Sequence, residues 1–229
     1  MPTIETVAPA FEPLTTAEVK THLRVSLTDE DTYIGSYLIP TARRHAEHFA
    51  RRVFISRSFR QEIDGISWQY GLGGYGTNRY FRPQAIETEG AWVQPHFGFQ
   101  TPVVIESTPL RSVTTLEYYA PSATSLSTLA SSNYYVDTVS EPGQLRLALG
   151  SVWPAVEPTR HDAVRITTVC GYSTTSSSVA TAVPDEYRWA MLLICAHLYE
   201  HRGDEAKMDF VIPPAAQSLL RPTRNFRFV

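Results

Sequence analysis

The sequence predicts an α+β fold in which a small helical bundle, built from the N- and C-terminal parts, carries a β-rich insertion. Apolar residues recur at helical spacing near both ends of the chain and alternate with polar residues in the middle. With 229 residues, 43% of them hydrophobic, the chain can bury a sizeable core. Its predicted parts are a leader at 1–13, helical segments at 14–56 and 183–221, the β-rich insertion at 57–172, a polar linker at 173–182 and an extended tail at 222–229.

Two helices are predicted in the first helical segment. Thr15 is placed as an N-cap with Glu18 three residues later, a capping box that starts a short helix over 14–23. A longer helix is predicted from residue 28 to about residue 52, with acidic residues in its first turn. Pro40 lacks an amide hydrogen and should bend that helix near 36–40. Its predicted buried stripe consists of Ile34, Leu38, His45 and Phe49.

The insertion is predicted to be mostly strands. Residues 55–63 alternate between a buried set and an exposed set, which indicates a half-buried strand, and further strands are predicted at 103–106, 111–119, 134–138, 144–148 and 163–172. The stretch 65–100 is rich in glycine and aromatic residues and predicts a hairpin or extended loop. Its aromatic residues suit a projecting arm that contacts a partner: Tyr70, Tyr75, Tyr80 and Phe81.

The principal helix of the chain is predicted at 184–202. Pro184 suits its first turn, and Asp185 and Glu186 lie where the helix dipole favours negative charge. The helix is apolar nearly all round, so it lies at the centre of a core or is shared between its own subunit and a neighbour. Its uninterrupted apolar run is well short of the roughly 20 residues that a membrane span needs, so we expect no membrane anchor. A last short helix is predicted to start at Pro214, followed by a basic and aromatic tail.

Motifs that could carry chemistry are weak in this sequence. Gly71, Gly73 and Gly76 fit the dinucleotide pattern GxGxxG, but no helix start follows them. His197 and His201 have the spacing of an HExxH zinc site without its glutamate, and His45 with His48 is a second helical pair better explained as ordinary histidines. The sequence therefore predicts no catalytic, metal-binding or cofactor-binding residues, and no enzyme.

The compartment is predicted from the cysteines and the N-terminus. Cys170 and Cys195 lie in unrelated contexts without a CxxC pattern and are expected to be reduced core residues. The first residues lack the basic and apolar regions of a signal peptide, so we expect folding in a cytoplasm.

A cluster of positive charge lies between residues 43 and 60. Its members are Arg43, Arg44, Arg51, Arg52, Arg57 and Arg60. Such a cluster could track a nucleic-acid backbone, but Glu47, Glu62 and Asp64 lie among the arginines. A solvated face or ion pairs between subunits is the interpretation that we favour.

The order of these pieces resembles a known family. The segments LTTAEVKTHLRV, DEDTYIGSYLIPTARRHAEHFARR, ISRSFRQEID, EPGQLRLA, VWP, AVRITTVCGY and VPDEYRWAMLLICAHLYEHR follow one another as in the head-tail connector (adaptor) proteins of long-tailed bacteriophages and gene transfer agents, of the gp6-like and phiE125 gp8-like kind. The resemblance covers most of the chain apart from about 65–100. That stretch looks longer and more aromatic than the family's usual hairpin.

The resemblance implies a structural protein of the virion neck, made in the cytoplasm of a host bacterium. It implies a homo-oligomeric ring, of twelve copies, beneath the portal protein, with a tail-side stopper or tail terminator protein below and genomic DNA passing through the channel. The candidate portal-docking residues are Arg221, Arg224, Phe226, Arg227 and Phe228, and the candidate subunit-interface residues are Arg43, Arg44, Arg51 and Arg52. A DNA-binding packaging or regulatory module is the alternative, which salt-dependent DNA affinity would reveal.

Overall fold

The computed structural model of the chain describes residues 3–65, 102–202 and 212–225. Helices from both ends of the sequence share one hydrophobic core, and strands from the middle build a second core beside it. The predicted α+β class is confirmed. The predicted hairpin or loop at 65–100 lies almost wholly outside the described residues, as do the tail residues from 226 onward.

The first helix, α1 (Thr16–Leu23), begins as the sequence predicts. The Thr15 hydroxyl accepts a hydrogen bond from the Glu18 backbone N–H, and the Glu18 carboxylate accepts one from the Thr15 N–H at 2.8 Å. This capping box satisfies two amide hydrogens that the start of a helix leaves without partners. The buried side chains of Leu14 and Val19 then fix α1 on the helical core.

The long N-terminal helix contains a π-helical turn where the bend was predicted. A short α2 (Asp31–Tyr33) leads into the π-helical turn Ile34–Leu38 and then into α3 (Ile39–Ala50). The Ile39 N–H bonds to the Ile34 carbonyl, and Pro40 has no N–H to donate to Ser36, so the ladder loosens here.

The π-helical turn also corrects the predicted buried stripe. One extra residue in the turn advances the buried face by one position, so His45 and Phe49 are only partly buried. The residues buried after the turn are Ile39, Ala42, Arg43, Ala46, Glu47 and Ala50.

The larger sheet contains five antiparallel strands in the order β1-β2-β8-β4-β5. They are β1 (Thr3–Glu5), β2 (Arg57–Ile63), β4 (Leu110–Tyr119), β5 (Leu126–Thr128) and β8 (Val164–Cys170). Strands β2 and β8 pair along their full lengths, from Arg57 with Cys170 to Ile63 with Val164. The leader is therefore not separate from the fold, because β1 forms an edge of this sheet.

The smaller described sheet has the order β3-β7-β6. Its strands are β3 (Val103–Val104), β6 (Tyr134–Asp137) and β7 (Gln144–Leu147). Gln61 of β2 joins the two sheets, since its amide donates to the Val104 carbonyl and accepts from the Glu106 N–H, both at 3.0 Å. A nearly fully buried glutamine thus replaces backbone pairing between the sheets.

The C-terminal part returns to the helical core through α4 (Val179–Ala182), α5 (Asp185–Glu200) and α6 (Pro214–Leu220). The segment 173–182 was predicted as a polar linker, but Ser173 and Val179 are buried and α4 forms within it. Helix α5 buries Tyr187, Ala190, Met191, Ile194 and Cys195. Among the described helices, none is long and apolar enough to span a membrane.

Candidate interaction surfaces

A buried carboxylate ties the helical core to the larger sheet. Glu47 on α3 accepts hydrogen bonds from Arg43 at 2.9 Å, from Arg57 of β2 at 2.9 and 3.0 Å, and from the Phe54 N–H at 2.8 Å. Its side chain is 7% exposed. Arg43 also pairs with Glu12 at 2.7 Å, so the end of the leader is held by the same network. A buried charge with this many partners fixes the relative position of the elements that supply them.

This network corrects part of the predicted arginine cluster. Arg43 and Arg57 are buried against carboxylates of their own chain and do not belong to a solvated basic face. Arg44 is exposed on the outer side of α3 and Arg51 is exposed at its C-cap, as a contact between subunits requires. Arg52 also has intrachain partners, which leaves Arg44 and Arg51 as the exposed half of the candidate interface set.

Arg52 joins three distant parts of the chain at the end of α3. Its guanidinium contacts the Glu141 carboxylate at 2.6 Å, the Tyr172 hydroxyl at 2.9 Å and the Thr223 carbonyl at 2.6 Å. Partial burial alone would lower the pKa of Arg52, but its hydrogen bond to Glu141 and nearby acidic groups raise it. The arginine therefore stays charged, while burial raises the pKa of the Tyr172 hydroxyl and keeps it neutral.

The first residues of the tail are anchored at the same place. The Asn225 N–H donates to the Ala50 carbonyl at 3.1 Å, and its side-chain amide donates to the Thr108 hydroxyl at 3.3 Å. Arg224 lies over the ring of Phe49, 5.2 Å from its centroid. The predicted extended tail at 222–229 is thus corrected up to Asn225, which is held on the protein body, and Arg221 is exposed just before it. Phe226, Arg227 and Phe228 lie outside the described residues.

An apolar groove runs between α1 and α5. It is lined by Leu14, Ala17, Thr21, His22, Trp189 and Leu192. Trp189 is 53% exposed and meets the His22 ring edge-on at 5.6 Å. An ion pair between Arg188 and Glu18 crosses the two helices. Partial burial would raise the pKa of Glu18, but hydrogen bonds from Thr15 and Arg188 outweigh it and the pKa is lowered.

The side chains with possible chemistry are held in structural roles. His201 makes a hydrogen bond through Nδ1 with the His197 carbonyl at 2.9 Å. Burial raises the pKa of Cys170 to about 11 and that of Cys195 to about 12, so neither thiol ionises near neutral pH. Within the described ranges, no group of three or more His, Cys, Asp or Glu side chains could hold a metal ion. Tyr70, Tyr75, Tyr80 and Phe81 lie outside those ranges.

The outward face of α5 was only partly visible in the sequence. An apolar surplus around the helix was recognised, but not the charges that border it. Projecting the residues at 100° intervals places Trp189, Leu193 and Ala196 opposite the buried stripe, with Glu186 and Glu200 on the same side. That projection needs only the sequence and would have found the face.

Comparisons with known proteins identify related folds. No protein-family model matches the chain, and no curated protein matches it. Three solved structures share the fold over 100% of this chain and 98% of theirs. Their titles are "Virion of native gene transfer agent (GTA) particle" (23% identity, TM-score 0.68), "Neck of empty GTA particle computed with C6 symmetry" (22%, 0.66) and "Neck of native GTA particle computed with C12 symmetry" (21%, 0.64).

Proposed function

We propose that the chain is a structural subunit of the neck of a phage-like particle, where it forms a head-tail connector ring beneath a portal. The observation that carries this proposal is the shared fold along the whole chain with chains from neck structures computed with sixfold and twelvefold symmetry. Because one fold can serve several functions, the particular site and its partners need their own support.

The described structure suits a rigid joint between two larger assemblies. Glu47 fixes the helical core on the larger sheet, and Gln61 fixes the larger sheet on the smaller one. Arg52 then holds the start of the tail against both the helical core and the loop that contains Glu141. A subunit braced in this way can transmit load between a head and a tail without internal rearrangement.

The proposed partners are those that the family resemblance implies. The portal is the proposed partner of Arg221 and of the tail, and the anchored residues up to Asn225 fix the point at which the tail leaves the body. A tail-side stopper or tail terminator protein binds the opposite end of the ring, and Tyr70, Tyr75, Tyr80 and Phe81 contact that protein or a neighbouring copy. Twelve copies surround a channel through which genomic DNA passes without sequence-specific binding.

The alternative function, a DNA-binding packaging or regulatory module, would depend on the exposed arginines. Arg44 and Arg51 are available for phosphate contacts, but Arg43, Arg52 and Arg57 are paired with carboxylates. A binder with few phosphate contacts has low affinity at physiological salt. The connector is therefore the function that the described surfaces support better.

Electron cryo-microscopy of the intact particle tests the proposal. We expect density for this chain in a symmetric ring between portal and tail, and co-purification of the chain with portal rings. The purified protein should bind free double-stranded DNA weakly at moderate salt. A chain found outside the neck, or tight DNA binding that weakens steeply with salt, would overturn the connector function.

A further inference from the structure

The helical core presents two separate outer faces of opposite charge. The basic α3 face consists of Thr41, Arg44 and His48 on the helix and of Arg51, the left-handed C-cap residue that follows it, all of them exposed. The acidic α5 face consists of Asp185, Glu186, Trp189, Leu193, Ala196 and Glu200. Helices α3 and α5 bury their opposite sides in the same core. Because each outer face lies across its helix from that core, the two faces form separate patches on the protein surface.

The charges of the two faces are complementary. The acidic α5 face has three exposed carboxylates around an apolar centre, and its Trp189 side chain is 53% exposed. Arg188 is the nearest cation to Asp185, at 3.9 Å, and it is already paired with Glu18. Among the described residues, the ion pairs of this region involve Arg43, Arg52 and Arg57, whereas neither Arg44 on α3 nor Arg51 at its C-cap has an acidic partner. The α5 face thus carries carboxylates with few cationic partners, and the α3 face carries cations without acidic partners.

A ring requires this kind of pair. In a closed ring, each copy meets its two neighbours through two different patches, and the same contact repeats around the axis. An aromatic anchor bordered by charged residues is also the usual composition of the energetic centre of an interface. A twofold dimer would instead require one patch that complements itself, and two acidic faces or two basic faces repel each other.

We infer that the basic α3 face of one copy binds the acidic α5 face of the next copy, with Trp189 at the centre of the contact. This inference deepens the proposed ring and rests on it, but it concerns only the surfaces between copies. Arg44 and Arg51 of the first copy lie against the carboxylates on α5 of the next copy, and α3 of the first copy covers the indole of Trp189 of the next copy.

A charge exchange between two variants tests the pairing. The first variant carries Arg44→Glu and Arg51→Glu, so both of its faces are acidic, and the second carries Glu186→Lys and Glu200→Lys, so both of its faces are basic or nearly neutral. Each variant alone should self-associate at least about tenfold more weakly than the parent, because like charges meet. An equimolar mixture should recover assembly as alternating copies, and so should one chain that carries all four substitutions.

Assembly is followed by sedimentation velocity and native mass spectrometry of the free protein, and by incorporation into particles. Arg111→Glu with Arg146→Glu is the matched control, since both arginines are exposed on the sheets, and it should assemble like the parent. Trp189→Ser should weaken assembly, while it lowers the melting temperature less than Ile194→Ala does.

Each outcome separates the inference from the proposed function. If the variants assemble like the parent, or the mixture fails to recover assembly, the face pairing is wrong even when the chain lies in the neck. If the mixture recovers assembly but the ring is absent from the neck, the pairing stands and the connector function fails. A parent that assembles neither alone nor in particles overturns both, and a mixture that binds only tail or portal proteins assigns the faces to those partners instead.

Discussion

Arg52 and Glu141 connect the C-terminal end of α3 to the loop between β6 and β7, with Nη2 of the arginine 2.6 Å from the carboxylate. The same guanidinium donates to the Thr223 carbonyl, two residues before the described chain ends at Asn225. One side chain thus sets the point at which the tail leaves the body. Arg52 also couples the tail to the β-rich part through Glu141, which lies 89 residues after Arg52 in the sequence.

Arg52→Met should release the start of the tail. The Thr223 carbonyl and the Tyr172 hydroxyl lose a charged donor, so we expect a loss of about 1–3 kcal/mol in the free energy of unfolding. The Asn225 amide, which bonds to the Ala50 carbonyl, should exchange its hydrogen faster. Urea denaturation and amide hydrogen exchange measure these effects. Arg51→Met is the matched control on an exposed neighbour, and equal effects of both substitutions would contradict the role of Arg52.

Glu47→Gln should be among the most damaging conservative substitutions in the chain. It removes the charge that Arg43 and Arg57 share while both stay buried, which costs about 3–5 kcal/mol in comparable buried ion pairs. Chemical denaturation measures the loss. Glu200→Gln changes an exposed carboxylate and should alter stability by less than about 0.5 kcal/mol. A Glu47→Gln protein as stable as the parent would mean that the ion-pair network of Glu47 does not stabilise the fold.

Substitutions at Ile194 and Trp189 compare the buried side of α5 with its outer face. Ile194 is fully buried, so Ile194→Ala should lower the free energy of unfolding by about 2–5 kcal/mol through lost burial and a cavity. Trp189→Ala removes a larger side chain, but one that is about half exposed, and should cost less despite its size. Thermal unfolding of both variants gives the comparison. The opposite order would mean that the buried side of α5 is misassigned.

Asp162 makes stability depend on pH in the acid range. Its hydrogen bond from Arg160, with help from Arg165, lowers the pKa of its carboxyl to about 2 from 3.8. Since the unfolded chain binds the proton more readily, the stabilisation is complete above about pH 4 and is lost as the pH falls towards 2. The stability difference between the parent and Asp162→Asn should therefore shrink over that window in urea titrations. A difference that is constant from pH 6 to pH 2 would contradict this assignment.

Local signals in the sequence were sufficient for much of the fold. The capping box of Thr15 and Glu18 predicted the start of α1, alternation predicted β2, and the strand predicted at 163–172 matches β8 to within two residues at each end. An irregularity of the helix next to Pro40 was also predicted, as a bend, but not its π-helical form. A π-helical turn adds one residue to the ladder, and nothing in helical spacing shows where that residue enters.

Strand pairing and ion pairs between residues that are far apart in the sequence could not be predicted from the sequence. Strands β1 and β5 are only three residues long, and pairing along the backbone holds them more than any side-chain pattern does. The arginines were visible as a cluster, but whether each one faces solvent or a carboxylate depends on tertiary contacts. Two such ion pairs are Arg43 with Glu12 and Arg52 with Glu141. They divide the cluster into arginines that hold parts of the chain together and arginines that are exposed.

We expect the tail residues up to Asn225 to contribute to stability and the residues after Asn225 to contribute to docking. Deletion of residues 226–229 removes Phe226, Arg227 and Phe228 but leaves the anchored residues in place, so the melting temperature should stay nearly unchanged while co-purification with portal rings is lost. Phe226→Ala with Phe228→Ala should cause most of that loss, because in an extended segment both rings lie on one side and would set the register of an added strand.

Deletion from Thr223 is the informative control. It also removes the Thr223 carbonyl, one of the three partners of Arg52, and the Asn225 amide that bonds to the Ala50 carbonyl, so it should lower the melting temperature as well as abolish docking. A protein without residues 226–229 that still binds portal rings with the parental affinity would move the docking surface to the body, where Arg221 is the next exposed candidate. Loss of stability in the shorter deletion would instead mean that the last four residues belong to the fold.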